Sequence, residues 1–216
     1  MLSRYKNLIF DLDGTLIDSS GGVVEAVNYS LRKMGEPEQS PEIIKTYIGY
    51  PLTQMYPNFT DKPVKELCHH FQIKASETVV RSTYMLPGVE ETLDILQKQN
   101  YKMAIATTKI RNHVIGIAKM FDWMDKFHAF VGGNEVDHVK PAPDAFLEAM
   151  KRMNVEAEDS IVIGDTVNDI FAAKAIPLQV IAVESPYGGQ EKTASANPDY
   201  NIKSIAELPK LLEELQ

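Results

Sequence analysis

Cysteine is nearly absent from this 216-residue chain. The single thiol, Cys68, can neither close an internal disulfide nor build a cysteine-based metal site. Positive charge is also in short supply. Lys and Arg number 22 against 30 Asp and Glu, a net charge of -8, which excludes the basic surface that phosphate-backbone binding demands. No apolar run approaches the roughly 18 residues of a membrane span. The run Leu8-Ile9-Phe10 meets Asp11 at once, too short for a signal-peptide core of about 7–15 residues. Neither a Gly-x-Gly-x-x-Gly turn nor a Gly-Lys-Ser/Thr loop occurs, so the common nucleotide cradles are missing. These absences lead us to expect a cytoplasmic protein with no membrane and no nucleic-acid partner.

What remains is the composition of an ordinary folded protein, 44% hydrophobic and 24% charged. Short apolar runs at 5–10, 103–106, 129–131, 161–163 and 180–183 each stop at turn or polar residues, as strands buried on both faces do. Helical stripes lie between them: Val89, Leu93, Leu96; Ile110, Val114, Ile117, Phe121; Phe146, Ala149, Met150, Met153; and Ile205 through Leu215. Alternating strands and helices predict an α/β fold, a doubly wound parallel sheet. Residues 19–84 break the alternation. They carry helical stripes (Val23, Val27, Leu31; Val64, Leu67, Phe71), five prolines and no convincing strand. The expected division is a core of 1–18 and 85–216, with a small helical insertion of 19–84.

Ligands of open α/β sheets bind beyond the carboxyl ends of the strands. Three of the expected strands end there in polar residues: Asp11 with Asp13, Thr107, and Asp165. The helix N-termini that follow offer free N–H groups suited to a phosphate. Asp11, Asp13, Asp165 and Asp169 would repel one another, and a hard divalent cation such as magnesium is the natural remedy. Lys140, in the His138-Val139-Lys140-Pro141 loop, adds positive charge to hold a dianionic phosphoryl group.

In order and context these segments resemble the four motifs of the haloacid dehalogenase-like hydrolases, a family that includes aspartyl-phosphate phosphatases. The segments are Asp11-Leu12-Asp13-Gly14-Thr15-Leu16, Ala106-Thr107-Thr108-Lys109, Lys140-Pro141-Ala142-Pro143-Asp144 and Gly164-Asp165-Thr166-Val167-Asn168-Asp169. The resemblance implies a Rossmann-like core and the following roles. Asp11 is the nucleophile and Asp13 the general acid and base. Thr107 and Lys140 hold the phosphoryl oxygens, with Leu12, Gly14, Thr15 and Thr108 around the phosphate. Magnesium is bound by the carboxylates of Asp11 and Asp165 and the backbone carbonyl of Asp13, and Asp169 supports the metal site. The insertion resembles the family's helical cap, with hinges near 19–22 and 83–88. Ile48-Gly49-Tyr50-Pro51-Leu52 is similar to a cap segment of phosphoglycolate phosphatases and related pyrophosphatases.

The expected function is therefore magnesium-dependent hydrolysis of a small phosphorylated metabolite by a monomer or weak homodimer. 2-Phosphoglycolate is the first expected substrate, with pyrophosphate and sugar or nucleoside monophosphates behind it. Asp13 argues against dehalogenases and phosphonate-cleaving relatives, which lack it. Gly164-Asp165 stands where phosphosugar mutases typically carry Glu-Asp. A phosphosugar mutase and a non-catalytic relative that binds a phosphorylated ligand stay open as alternatives. Ile176-Pro177 follows Ala172-Ala173-Lys174-Ala175 where the family usually has Gly, so this helix end must differ from the family's.

Overall fold

The structure, a computed structural model, describes residues 4–187 and 189–215. Strand β1 (Asn7–Phe10) is buried along its whole length. It lies at the centre of a six-stranded parallel sheet with β4 (Lys102–Ala106), β5 (Ala129–Val131), β6 (Ser160–Gly164), β7 (Gln179–Val183) and β8 (Tyr200–Ile202). The strand order is β5-β4-β1-β6-β7-β8. Successive residues point to opposite faces of a strand, and both faces here are covered. Leu8, Phe10, Met103, Ile105, Ile161 and Ile163 pack on one side with helices α5 (Val89–Lys98), α6 (Arg111–Met120) and α10 (Leu208–Glu214). Ile9, Ala104, Ala106, Val162 and Val180 pack on the other with α7 (Asp144–Met153) and α8 (Val167–Lys174). A short helix α9 (Gln190–Ser195) precedes β8. The doubly wound α/β expectation holds.

Between β1 and α5 the chain leaves the sheet. Strands β2 (Ile17–Asp18) and β3 (Tyr84–Met85) pair antiparallel where it departs and returns. Helices α1 (Ser20–Lys33), α2 (Pro41–Lys45), α3 (Leu52–Met55) and α4 (Val64–Thr78) fill the interval. Their own small core gathers Val27, Leu31, Ile44, Tyr56 and Leu67. Gly22 lets α1 and α4 touch: a Cβ there would lie 2.7 Å from the Cα of Val79.

Two details bear on the sequence reading. Helix α8 ends through Ala175 at φ -67°, so the Ile176-Pro177 end requires no left-handed residue and no glycine. Strands β2 and β3 span two residues each, and β8 is Tyr-Asn-Ile; none is an apolar run of the kind that announces the three-residue β5, Ala-Phe-Val. Among the described residues no helix is long and apolar enough to cross a membrane.

Candidate active site

The strand order decides where the chemistry sits. Strands β4, β1 and β6 are adjacent, so Thr107, Asp11 and Asp165, which follow their carboxyl ends, become neighbours. The Asp11 N–H still donates to the Ile163 carbonyl at 2.8 Å, extending the ladder one residue beyond β1. Gly14 then turns the chain at φ +84°, and a Cβ there would overlap the Asp165 carboxylate. The Gly14 N–H is bonded to the Ile17 carbonyl at 2.8 Å. Gly14 therefore makes room for the Asp165 carboxylate and has no N–H left to donate into the site. The N–H groups of Leu12 and Asp13 make no hydrogen bond among the described residues, while the Leu12 side chain is wholly in the core.

Lys140 is the hub. It is buried, and its ammonium is paired with the Asp11 carboxylate, with Asp169 Oδ1 at 2.6 Å and with the Ala106 carbonyl at 3.2 Å. Asp169 also closes the first turn of α8. Its Oδ2 accepts from the Thr166 N–H at 3.0 Å and from the Thr166 hydroxyl at 2.6 Å. Thr15 donates to Asp165 Oδ1 at 3.2 Å. The Thr107 hydroxyl accepts from the Lys109 N–H at 3.2 Å, which leaves its own proton to donate elsewhere.

These charges do not balance. Were all three buried carboxylates, Asp11, Asp165 and Asp169, ionised, the single ammonium of Lys140 would leave two negative charges uncompensated. Burial pushes the Asp11 carboxyl up to about 7; Lys140 opposes the shift, while Asp169 and Asp13 add to it. Burial, followed by the charges of Asp11 and Asp169, raises Asp165 well above the usual carboxylate range. Burial alone would depress Lys140, but its two carboxylate partners outweigh burial and hold its pKa above the ordinary value.

The same three aspartates offer oxygens within 4.8 Å of one another. Among the described residues, Asp165 Oδ2 is buried with no hydrogen-bond partner. An all-oxygen donor set with an orphaned oxygen and two excess negative charges fits one hard divalent cation. The Asp13 carboxylate stands outside this group. It takes one hydrogen bond from the Ser19 hydroxyl and an ion pair from Lys109 at 3.2 Å, so its carboxylate is not a metal ligand in this arrangement and only its backbone carbonyl is left for that role.

Sequence reasoning passed over Ser19, Lys109 and His113 as site residues. Lys109 also reaches the Ser19 hydroxyl at 3.3 Å, tying the end of β4 to the first linker. The only prior signal was its position two residues after Thr107. His113, one helical turn on, is buried; burial and the Lys109 charge push its imidazole down to about 4, against Asp13. It is neutral at pH 7. Tyr187 donates to Asp18 at 3.0 Å and accepts from the Ser19 N–H at 3.3 Å, so a loop after β7 also holds the linker.

The insertion lies over this cluster. Gly49, at φ +87°, comes so close to the core that a Cβ would sit 2.8 Å from Thr166 Cγ2, and its carbonyl accepts from the Thr108 hydroxyl at 3.5 Å. Two cavities flank the contact. One, of about 120 Å³, includes Asp13, Thr108, Lys109, Tyr50 and Phe71 in its wall. The other, of about 180 Å³, includes Asp165, Ser185, Lys45 and Lys192.

Residues 8–183 match the family described as haloacid dehalogenase-like hydrolase. The chain belongs to that family. It is similar to a phosphoglycolate phosphatase of Haemophilus influenzae, 27% identical over 98% of this chain and 100% of the relative. It is also similar to Pyrophosphatase PpaX of Halalkalibacterium halodurans, 27% identical over 93% of this chain and 94% of the relative. Among solved structures, a haloacid dehalogenase-like family hydrolase from Streptococcus pneumoniae superposes with a TM-score of 0.88 at 25% identity, covering 96% of this chain and 98% of the other. As a member of the family, the chain shares the α/β architecture expected of it.

Proposed function

We propose that this hydrolase is a magnesium-dependent phosphatase of small phosphomonoesters, working through an aspartyl phosphate on Asp11. The observation that carries the reading is the buried pairing of Asp11 with Lys140 beside the unpartnered Asp165 oxygen. A carboxylate attacks a phosphoryl dianion only where positive charge first lowers the repulsion. Lys140 supplies one charge. Magnesium, held by the Asp11 and Asp165 carboxylates and the Asp13 carbonyl with Asp169 in support, would supply the rest as a Lewis acid.

In the first step an Asp11 oxygen bonds to phosphorus while the ester oxygen departs, taking a proton from Asp13. In the second, Asp13 removes a proton from a water that attacks the aspartyl phosphate, freeing Asp11 and inorganic phosphate. Thr107, Lys140 and the unpaired N–H groups of Leu12 and Asp13 hold the phosphoryl oxygens. Residues 19–84 act as a cap over the 1–18 and 85–216 core and exclude water. The names of relatives make 2-phosphoglycolate the first substrate to assay, with pyrophosphate next.

The test is phosphate release by the purified protein with magnesium. Asp11→Asn should reduce release to the blank while the circular dichroism spectrum is unchanged. Full activity in that variant would overturn the nucleophile assignment.

A further inference from the structure

Ser19 stands at the N-cap of α1, where a serine side chain ordinarily accepts from the first free N–H groups of the helix. Here it makes no such bond. The Asp18 carboxylate takes over, accepting from the Ser20 N–H at 2.8 Å. The Ser19 hydroxyl is turned to the site instead, donating to Asp13 Oδ1 and accepting from Lys109 at 3.3 Å. Lys109 pairs with the other oxygen, Asp13 Oδ2, at 3.2 Å. Both oxygens of the Asp13 carboxyl are thus held in place. Ser19 is wholly buried, so its main-chain N–H needs an acceptor as well.

Tyr187 supplies that acceptor from the other end of the chain. Strand β7 lies beside β6 and parallel to it, so the loop that follows β7 emerges at the same end of the sheet as Asp165. This loop holds its own shape. The Ser185 hydroxyl accepts from the Tyr187 N–H at 3.2 Å, and the Ser185 carbonyl accepts from the Gln190 side chain at 3.2 Å. The Tyr187 hydroxyl accepts from the Ser19 N–H at 3.3 Å and donates to Asp18 at 3.0 Å, so its proton has one direction to point. Burial, with the charges of Asp13 and Asp18, holds its pKa above the ordinary value, and it stays a donor.

We infer that Tyr187 is a positioning residue for the reaction: by pinning the Ser19 main chain it aims the Asp13 carboxyl at the leaving oxygen. This rests on the phosphatase reading above, in which Asp13 delivers the proton. Without the Tyr187 hydroxyl the buried Ser19 N–H has no acceptor and must shift to find one. Its hydroxyl then leaves Asp13 with it. The damage falls on the step in which the P–O bond breaks, the phosphoryl group passes to Asp11 and the departing oxygen takes the Asp13 proton. A leaving group that is stable as an anion needs no such proton.

The experiment uses Tyr187→Phe, which keeps the ring, in the full chain with magnesium. Asp18 retains the Ser20 N–H and the charge of Lys45, so the variant should fold, as circular dichroism would show. Ethyl phosphate and 2-phosphoglycolate, whose alkoxides must be protonated, are compared with acetyl phosphate, whose acetate leaves unprotonated. We expect kcat/KM for the alkyl esters to fall by about ten- to hundredfold and that for acetyl phosphate by less than about threefold. Ser19→Ala should give the same split. In an Asp13→Asn background, Tyr187→Phe should cost nothing further in single turnovers of acetyl phosphate. No fall, an equal fall for both kinds of ester, or a further loss beside Asp13→Asn would overturn the inference. If the wild-type protein turns over none of the three, the phosphatase reading falls, and carbon-13 NMR of labelled aspartate decides the rest. The Asp13 carboxyl resonance should move alike in Tyr187→Phe and Ser19→Ala; an unmoved resonance sinks the inference.

Discussion

Lys140 and Asp165 sit on opposite sides of the same charge problem. Replacing Lys140 with Met leaves Asp11 and Asp169 buried without their cation. This should abolish turnover and destabilise the protein by about 3 kcal/mol, read from urea unfolding in chelator. Replacing Asp165 with Asn should do the reverse to stability while still removing activity. The sign follows from proton binding. Asp165 and Asp11 have native pKa values raised above the unfolded ones. The native state therefore holds more protons than the unfolded chain between roughly pH 4 and 7, and metal-free stability falls as pH rises through that window. Asp165→Asn takes away one of the groups that must ionise against burial and lowers the repulsion felt by Asp11. We expect about 1–2 kcal/mol of gain at pH 7 in chelator, or about 2–8 °C in Tm. The advantage should vanish by about pH 4, where the wild-type carboxyl is protonated. An Asp165→Asn protein no more stable than wild type at pH 7 would show that the site is not strained by its own charge.

At the scale of elements, the helical insertion meets the sheet domain through the Gly49 turn. Gly49→Ala combines a left-handed backbone angle with a Cβ 2.8 Å from Thr166 Cγ2. It should hold residues 48–52 off the site, lowering kcat/KM by about tenfold or more. Tm should change little, because the cap's own core of Val27, Leu31 and Leu67 is untouched. A large fall in Tm with unchanged kcat/KM would mean that the turn matters for folding rather than closure. Five of the six strands of the sheet were legible because each is an apolar run that ends at a polar turn; β8, Tyr-Asn-Ile, is not such a run, and the strand order came from the structure. Asp11 and Asp165 stood out in the sequence because they follow strand ends, whereas Lys140, in a loop before α7, and Asp169, in the first turn of α8, were singled out by the order of the motifs; the structure brings the four together. The Lys109–Asp13–Ser19 contacts, the neutral state of His113 and the two cavities beside the Gly49 contact were not legible. Each depends on how the insertion lies over the core, and stripes such as Val64, Leu67 and Phe71 declare only that a helix has an apolar face, not what that face meets.

For the whole molecule, the proposed metal site ties cation binding to folding. The unfolded chain cannot gather Asp11, Asp165 and Asp169, which come from the ends of β1 and β6 and the first turn of α8. On the proposed reading, magnesium would bind the native state alone and should stabilise it by mass action. At a concentration a hundred times the dissociation constant the gain is about 2.7 kcal/mol, or about 5–10 °C for a chain of this length. The shift should be larger at pH 8 than at pH 5, since the cation competes with the protons that burial holds on Asp11 and Asp165. Asp165→Asn should nearly abolish it, and the chelator that removes it should stop turnover over the same range of free magnesium. Differential scanning fluorimetry across magnesium and pH, beside phosphate release, reads all of this. A Tm indifferent to magnesium at pH 8, with turnover that survives chelation, would take the metal out of the site and leave Lys140 as the only cation facing the phosphoryl group.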